Sequence, residues 1–211
     1  MKEYQKSTID FYDEHVEEFY KHTIDLQSKY FMNKFITLLP KGSLVLDVGC
    51  GFGRDCKTLA DNGFDVYGID LSKNMIKKAK SFDSRCHFYV RDMMNPEFED
   101  NLFEGIWCTC ALLHLNKQDA RIALKEFNRV LKKEGIVYLG LKEGDTEGLI
   151  KDPRYNGAEK YYTHYRESEF IELLKNAGFE IVHSHLKYNE DVRYLQIKGL
   201  NIIAKKINSL T

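Results

Sequence analysis

Residues 45 to 55 read Val45-Leu46-Asp47-Val48-Gly49-Cys50-Gly51-Phe52-Gly53-Arg54-Asp55. A short apolar run enters three glycines at alternate positions and leaves into a helix-forming stretch. No other segment constrains the fold so tightly. Glycine admits positive φ and lets backbone N–H groups come close to a ligand. In doubly wound sheets this strand–turn–helix unit lies at the carboxyl end of the first strand, where nucleotides bind. The rest of the chain agrees. Apolar runs at 66–69, 87–90, 106–109 and 136–141 follow the one at 44–48, with amphipathic segments at 55–62, 73–80 and 117–132 between them. Such alternation implies right-handed crossovers and a parallel α/β sheet covered on both faces.

The flanks differ in texture. Over the first forty residues Ile9, Tyr12, Val16, Phe19 and Thr23 recur at helical spacing, and a second helical segment at 28–39 stops at Pro40-Lys41-Gly42. From 142 to 165 the pattern lapses into Gly, Asp, Pro and clustered Tyr, which reads as a loop without periodicity. A helix at 167–176 ends before Gly178. Strand-like segments at 179–186 and 194–204, separated by polar residues at 188–191, read as an antiparallel pair.

The 211 residues carry 31 Lys and Arg against 32 Asp and Glu, a formal charge of −1, which argues against a dedicated nucleic-acid binder. Hydrophobic residues make up 43%, enough for a real core. No apolar run is long enough for a membrane span, and the start is too charged for a signal peptide. Five cysteines without a CxxC pair disfavour zinc and disulfides and point to a cytoplasmic protein with free thiols.

What the turn lacks narrows its ligand. The dinucleotide fingerprint G-x-G-x-x-G fails, because the last position falls on Arg54 or Cys56, and no GK[ST] follows. Asp47 and Asp55 flank the turn, where a pyrophosphate needs freedom from competing anions. A carboxylate there suits a cation, and S-adenosylmethionine, with a sulfonium, an ammonium and no phosphate, fits. Leu46 to Gly53 resembles the first motif of the class I S-adenosylmethionine-dependent methyltransferases, L-D-x-G-C-G-x-G. The resemblance extends over roughly residues 38–204. It is weakest over the first thirty residues and 142–165, and it departs at Lys133-Glu134-Gly135, where the family usually has Lys-Pro-Gly-Gly.

That resemblance implies a Rossmann-like, doubly wound seven-stranded sheet, six strands parallel and the last antiparallel. A helical lid (1–40) would belong to one structural domain with the cofactor-binding part (41–211). It assigns the cofactor to Asp47, Gly49, Cys50, Gly51 and Gly53. Asp70 would accept both ribose hydroxyls, with Leu71 beside it also against the cofactor, Asp92 on the adenine amine and Met93 against the ring. His114, just past the fourth strand and near-neutral in pKa, would act as base or positioning group for the acceptor. Tyr162, His164 and Tyr165 from the aromatic loop, and Tyr12 and Tyr20 from the first helices, would enclose the acceptor. Arg54 and Lys142 are in reach of an acceptor carboxylate yet read most simply as solvated charges. The expected reaction is in-line, metal-free methyl transfer to an oxygen or nitrogen of a small molecule by a monomer or homodimer. Methylation of a nucleoside in RNA and cofactor binding without turnover are the alternatives.

Overall fold

A computed structural model describes residues 2–26, 28–188 and 198–207. Three helices open the chain: α1 (Glu3–Glu14), α2 (Val16–Thr23) and α3 (Lys29–Thr37). Then follow β1 (Leu44–Val48), α4 (Arg54–Asp61), β2 (Asp65–Asp70), α5 (Lys73–Phe82), β3 (His87–Val90), β4 (Phe103–Thr109), α6 (Lys117–Val130) and β5 (Leu131–Lys142). The chain closes with β6 (Glu147–Asp152), β7 (Ala158–Thr163), α7 (Glu167–Asn176), β8 (Phe179–Tyr188) and β9 (Lys198–Lys206). Helix starts follow local chemistry: Ser72 accepts from the Met75 amide at 3.0 Å, and Asn116 from that of Asp119 at 2.8 Å.

The main sheet has seven strands in the order β3-β2-β1-β4-β5-β9-β8. Strands β1 to β5 pair in parallel, and β9 lies antiparallel between β5 and β8. Since β8 is also antiparallel to β9, it runs with the first five; the last strand alone is reversed. The order reverses at β1, whose Asp47 is in register with Gly68 of β2 and Trp107 of β4. Crossovers leave β1 on opposite faces there, which opens a crevice at the carboxyl ends of β1 and β4. Helices α3, α4 and α5 cover one face over Phe35, Trp107 and Tyr138; α6 and α7 cover the other over Leu124, Phe127, Leu139 and Phe170. The Trp107 and Tyr138 rings stack with centroids 3.9 Å apart.

Two expectations change. The segment at 142–165 is no loop: β6 and β7 form an antiparallel hairpin, turned by a 3-10 helix at Pro153–Tyr155. Its period was hidden because β6 alternates between exposed and half-buried positions until the buried Asp152, and the first buried place on β7 belongs to a lysine, Lys160. Helix α6 also stops at Val130, and the strand begins at once. A register shift between Phe103 and Gly105 absorbs the residues around Glu134, which has positive φ. Of the strand expected at 194–204, residues 194–197 and the link at 189–191 lie outside the described residues. Among the described residues no helix is long and apolar enough to cross a membrane.

Candidate active site

The crevice holds a cavity of about 1010 Å³, walled by the glycine turn, the ends of β2, β4 and β5, helix α1 and strand β7. Pockets for one small ligand run to about 300–1,000 Å³, so this one has room for two.

The turn itself is built differently from a phosphate cradle. The Gly49 and Cys50 amides both donate to the Ile69 carbonyl, at 2.8 and 3.0 Å, and Gly53 donates to the Cys50 carbonyl at 3.0 Å. The Gly51 amide donates to the Asp70 carboxylate at 3.0 Å. Four amides that a phosphate would need are therefore already bonded. Two of the glycines answer packing demands. A Cβ on Gly49 would lie 2.2 Å from that of Ala111, and one on Gly53 would lie 2.9 Å from the Phe88 ring. Gly51 alone of the three would take a Cβ without overlap, Phe19 lying at van der Waals distance, 3.7 Å away.

Acidic groups ring this end. Asp47 is 3% exposed, and its one side-chain donor among the described residues is the weak Cys56 thiol, at 3.1 Å. Burial, and then the neighbouring Asp55 charge, pushes the Asp47 carboxyl above its usual range. Asp70 is raised by burial too, though the Ser72 and Gly51 amides oppose the shift. Its two oxygens each accept one amide, Ser72 at 2.9 Å and Gly51 at 3.0 Å, leaving one lone-pair direction free on each. Asp55 takes both ends of the Arg54 guanidinium, at 2.8 and 3.0 Å, and the Trp107 indole N–H at 3.0 Å. Arg54 also donates to the Thr23 carbonyl at 2.9 Å, so it is a tie between α2 and α4 and not a solvated charge. Two buried carboxylates and the half-buried Asp70 with one arginine, plus free acceptor directions on Asp70, fit a cation that donates hydroxyls. The residues present therefore fit S-adenosylmethionine.

The far end differs in sign. His114 Nδ1 lies 2.7 Å from the Tyr161 carbonyl, which can only accept, so Nδ1 carries the proton. Its Nε2 is then a lone pair, and the Tyr12 hydroxyl donates to it at 2.9 Å. Burial holds the imidazole down to about 3, against the pull of the Tyr161 carbonyl and with Lys160 and Lys142 adding repulsion. It is a neutral group. Lys160, 1% exposed, packs its ammonium 4.1 Å from the Phe11 ring centre and 3.0 Å from Asp152. Burial lowers it to about 8, with Asp152 resisting. Arg154 bonds the same carboxylate at 2.5 Å. The Lys142 ammonium stands 4.3 Å over the Tyr162 ring and lines the cavity, where a solvated charge was expected.

Helix α1 is fastened across this end. The Asp13 carboxylate accepts from the Ser72 hydroxyl at 2.5 Å and the Asn74 amide at 3.0 Å. Asp119 accepts from Lys2 at 2.6 Å and from the Tyr4 hydroxyl, and Thr8 accepts from the Tyr161 amide at 3.1 Å.

The cavity thus brings together Asp47, Gly49, Cys50, Gly51, Asp70, Leu71, Met93, His114, Tyr12 and Tyr162. The remaining sequence candidates lie outside its lining. Asp92 turns its carboxylate back to cap the Met94 amide at 2.9 Å, and Gly53 packs under Phe88. Tyr20 lies against Phe52 and Phe82, and Tyr165 is fully buried against Phe170. His164 sits behind Tyr162, its Nε2 buried without a hydrogen bond. Sequence reasoning passed over Lys160 and Asp152, whose pairing depends on the hairpin, and over Cys110, which lines the cavity at positive φ.

Residues 46–139 match a family model described as "Methyltransferase domain". A 2-methyl-6-phytyl-1,4-hydroquinone methyltransferase of Synechocystis is 40% identical over 103 residues, which is 47% of this chain and 32% of that protein. Protein MJ0638 of Methanocaldococcus jannaschii is 30% identical over 185 residues, 88% of this chain and 72% of that one. The crystal structure of a SAM-dependent methyltransferase from Methanosarcina mazei superposes with a TM-score of 0.75 at 25% identity, covering 87% of this chain and 99% of that one. The chain spans about a third of the length of the Synechocystis enzyme.

Proposed function

This chain belongs to the S-adenosylmethionine-dependent methyltransferases, and on that premise we propose that it methylates an oxygen or nitrogen of a small molecule held between α1, β7 and the turn after β4. When bound, the cofactor supplies a methyl group on a sulfonium, open to in-line attack by an acceptor lone pair. What the chain must add is mainly position. Asp70 offers its two free acceptor directions to the ribose hydroxyls. Asp47 and the acids beside it set a negative field for the ammonium and sulfonium, and Leu71, Arg91 and Met93 wall the side where the purine belongs.

The Tyr12–His114 hydrogen bond carries the acceptor-side reading. An imidazole held near 3 is a poor proton acceptor at neutral pH. His114 acts by fixing the Tyr12 hydroxyl: that proton points to Nε2, so the oxygen lone pairs face the cavity and accept an O–H or N–H from the acceptor. The donating atom is then turned toward the methyl group. His114 is a positioning residue in this account, and Tyr12 touches the acceptor.

Calorimetric titration with S-adenosylhomocysteine, followed by incubation of the protein and methyl-labelled cofactor with fractionated cell extract, tests the assignment. Binding of the homocysteine product and label in the small-molecule fraction are expected. Absence of binding, or label confined to RNA, would overturn it.

A further inference from the structure

Three cations, Lys142, Arg154 and Lys160, line the acceptor end of the cavity. Asp152 holds both Lys160 and Arg154. Lys142, by contrast, has no hydrogen bond or ion pair to an acid among the described residues, although its ammonium is withdrawn from bulk water into the cavity wall. Burial depresses its pKa, with Arg154 repelling it and Cys110 and Asp152 only partly compensating. The Cys110 thiol, exposed on the cavity wall, is shifted up and not down by its surroundings, so it supplies no thiolate near neutral pH. The Tyr162 ring, 4.3 Å away, offers the ammonium a π face, worth about 0.5–2 kcal/mol and less than a full counter-charge. An unpaired charge in such a site is costly unless a ligand completes it.

We propose that the methyl acceptor carries an anionic group, a carboxylate or a phosphate, and that Lys142 binds it beside Tyr162 with the Lys160–Asp152–Arg154 cluster behind. This rests on the methyltransferase reading and adds the acceptor's chemical class. The two ends of the cavity then have opposite preferences: acids around Asp70 for the cationic cofactor, Lys142 for the anionic acceptor. Tyr12 and Tyr162 provide flat aromatic walls between them.

The probes are benzoate, phenyl phosphate and neutral benzamide, titrated into the protein saturated with S-adenosylhomocysteine. At least one anion is expected to bind about tenfold or more tightly than benzamide, and which one binds separates carboxylate from phosphate recognition. Lys142→Met is expected to lower that anion's affinity by about tenfold or more while S-adenosylhomocysteine binds as before, and Lys142→Arg is expected to restore it. Anions that bind no better than benzamide, or that bind Lys142→Met as well as wild type, overturn the inference. Failure of wild type to bind S-adenosylhomocysteine overturns the methyltransferase reading and this inference with it.

Discussion

Replacing Gly49 by alanine tests whether this glycine serves packing or ligand approach. The added methyl would sit 2.2 Å from the Ala111 Cβ, deep inside contact distance, and Gly49 has φ of 69°. A left-handed conformation costs an L-residue about 1–2 kcal/mol. Overpacking a rigid site adds about 1–3 kcal/mol. Together Gly49→Ala should destabilise the ligand-free fold by about 2–5 kcal/mol, at roughly 2–4 °C of melting temperature per kcal/mol for a chain of this size. Removing the opposing methyl separates the two terms. Ala111→Gly alone should cost about 1–2 kcal/mol from lost burial and added chain freedom. The double variant should then recover the steric part and keep the backbone part. Urea unfolding of the four proteins without cofactor gives the coupling, expected at about 1–3 kcal/mol in favour of the double variant. Additivity within about 0.5 kcal/mol would refute the packing account and return Gly49 to the ligand.

Asp70→Asn keeps the size of the side chain but sets an NH₂ donor against the Gly51 or Ser72 amide, so S-adenosylhomocysteine affinity should fall roughly 10–100-fold by calorimetry; unchanged binding would remove Asp70 from the site. His114 has a pKa near 3 when folded, against about 6.5 in the unfolded chain. Between those values the unfolded chain binds the extra proton, so wild type loses stability as pH falls from about 6.5 toward 3. His114→Gln lacks that loss, so urea titrations at neutral and acid pH should show its stability deficit shrinking on acidification; parallel pH profiles would contradict a neutral buried imidazole. Asp13→Ala frees the Ser72 hydroxyl and Asn74 amide from helix α1, and amide hydrogen exchange in α1 should quicken by about tenfold or more, with protection in β1 and β4 unchanged.

The parts of this site that were readable from sequence are local ones. Leu46 to Gly53 announces its turn because strand, glycines and helix start are neighbours in the chain, and Asp70 follows because the second strand ends in register beside it. The parallel sheet was readable from alternation for the same reason, each crossover being a short-range unit. The acceptor end is the opposite case. Tyr12 and His114 are 102 residues apart, and nothing in either segment encodes their hydrogen bond. Lys160 defeats periodicity outright, since a pattern rule counts a lysine as outward-facing while Asp152 and four aromatic rings make burial tolerable here. Asp92 is a carboxylate at the expected place in the order that also caps its own turn, at the Met94 amide.

Much of the acceptor end comes from two appendages of the sheet, helix α1 and the β6–β7 hairpin, which pack on each other, while the sheet itself adds His114 after β4 and Lys142 at the end of β5. The cofactor end is drawn from the sheet itself, from the ends of β1 and β2, the glycine turn and the start of α4. Divergence can therefore rewrite the appendages, and with them what enters the cavity, without disturbing the motif that Leu46 to Gly53 preserves. A mutational library confined to α1 and the hairpin should alter ligand choice while every member still binds the same cofactor.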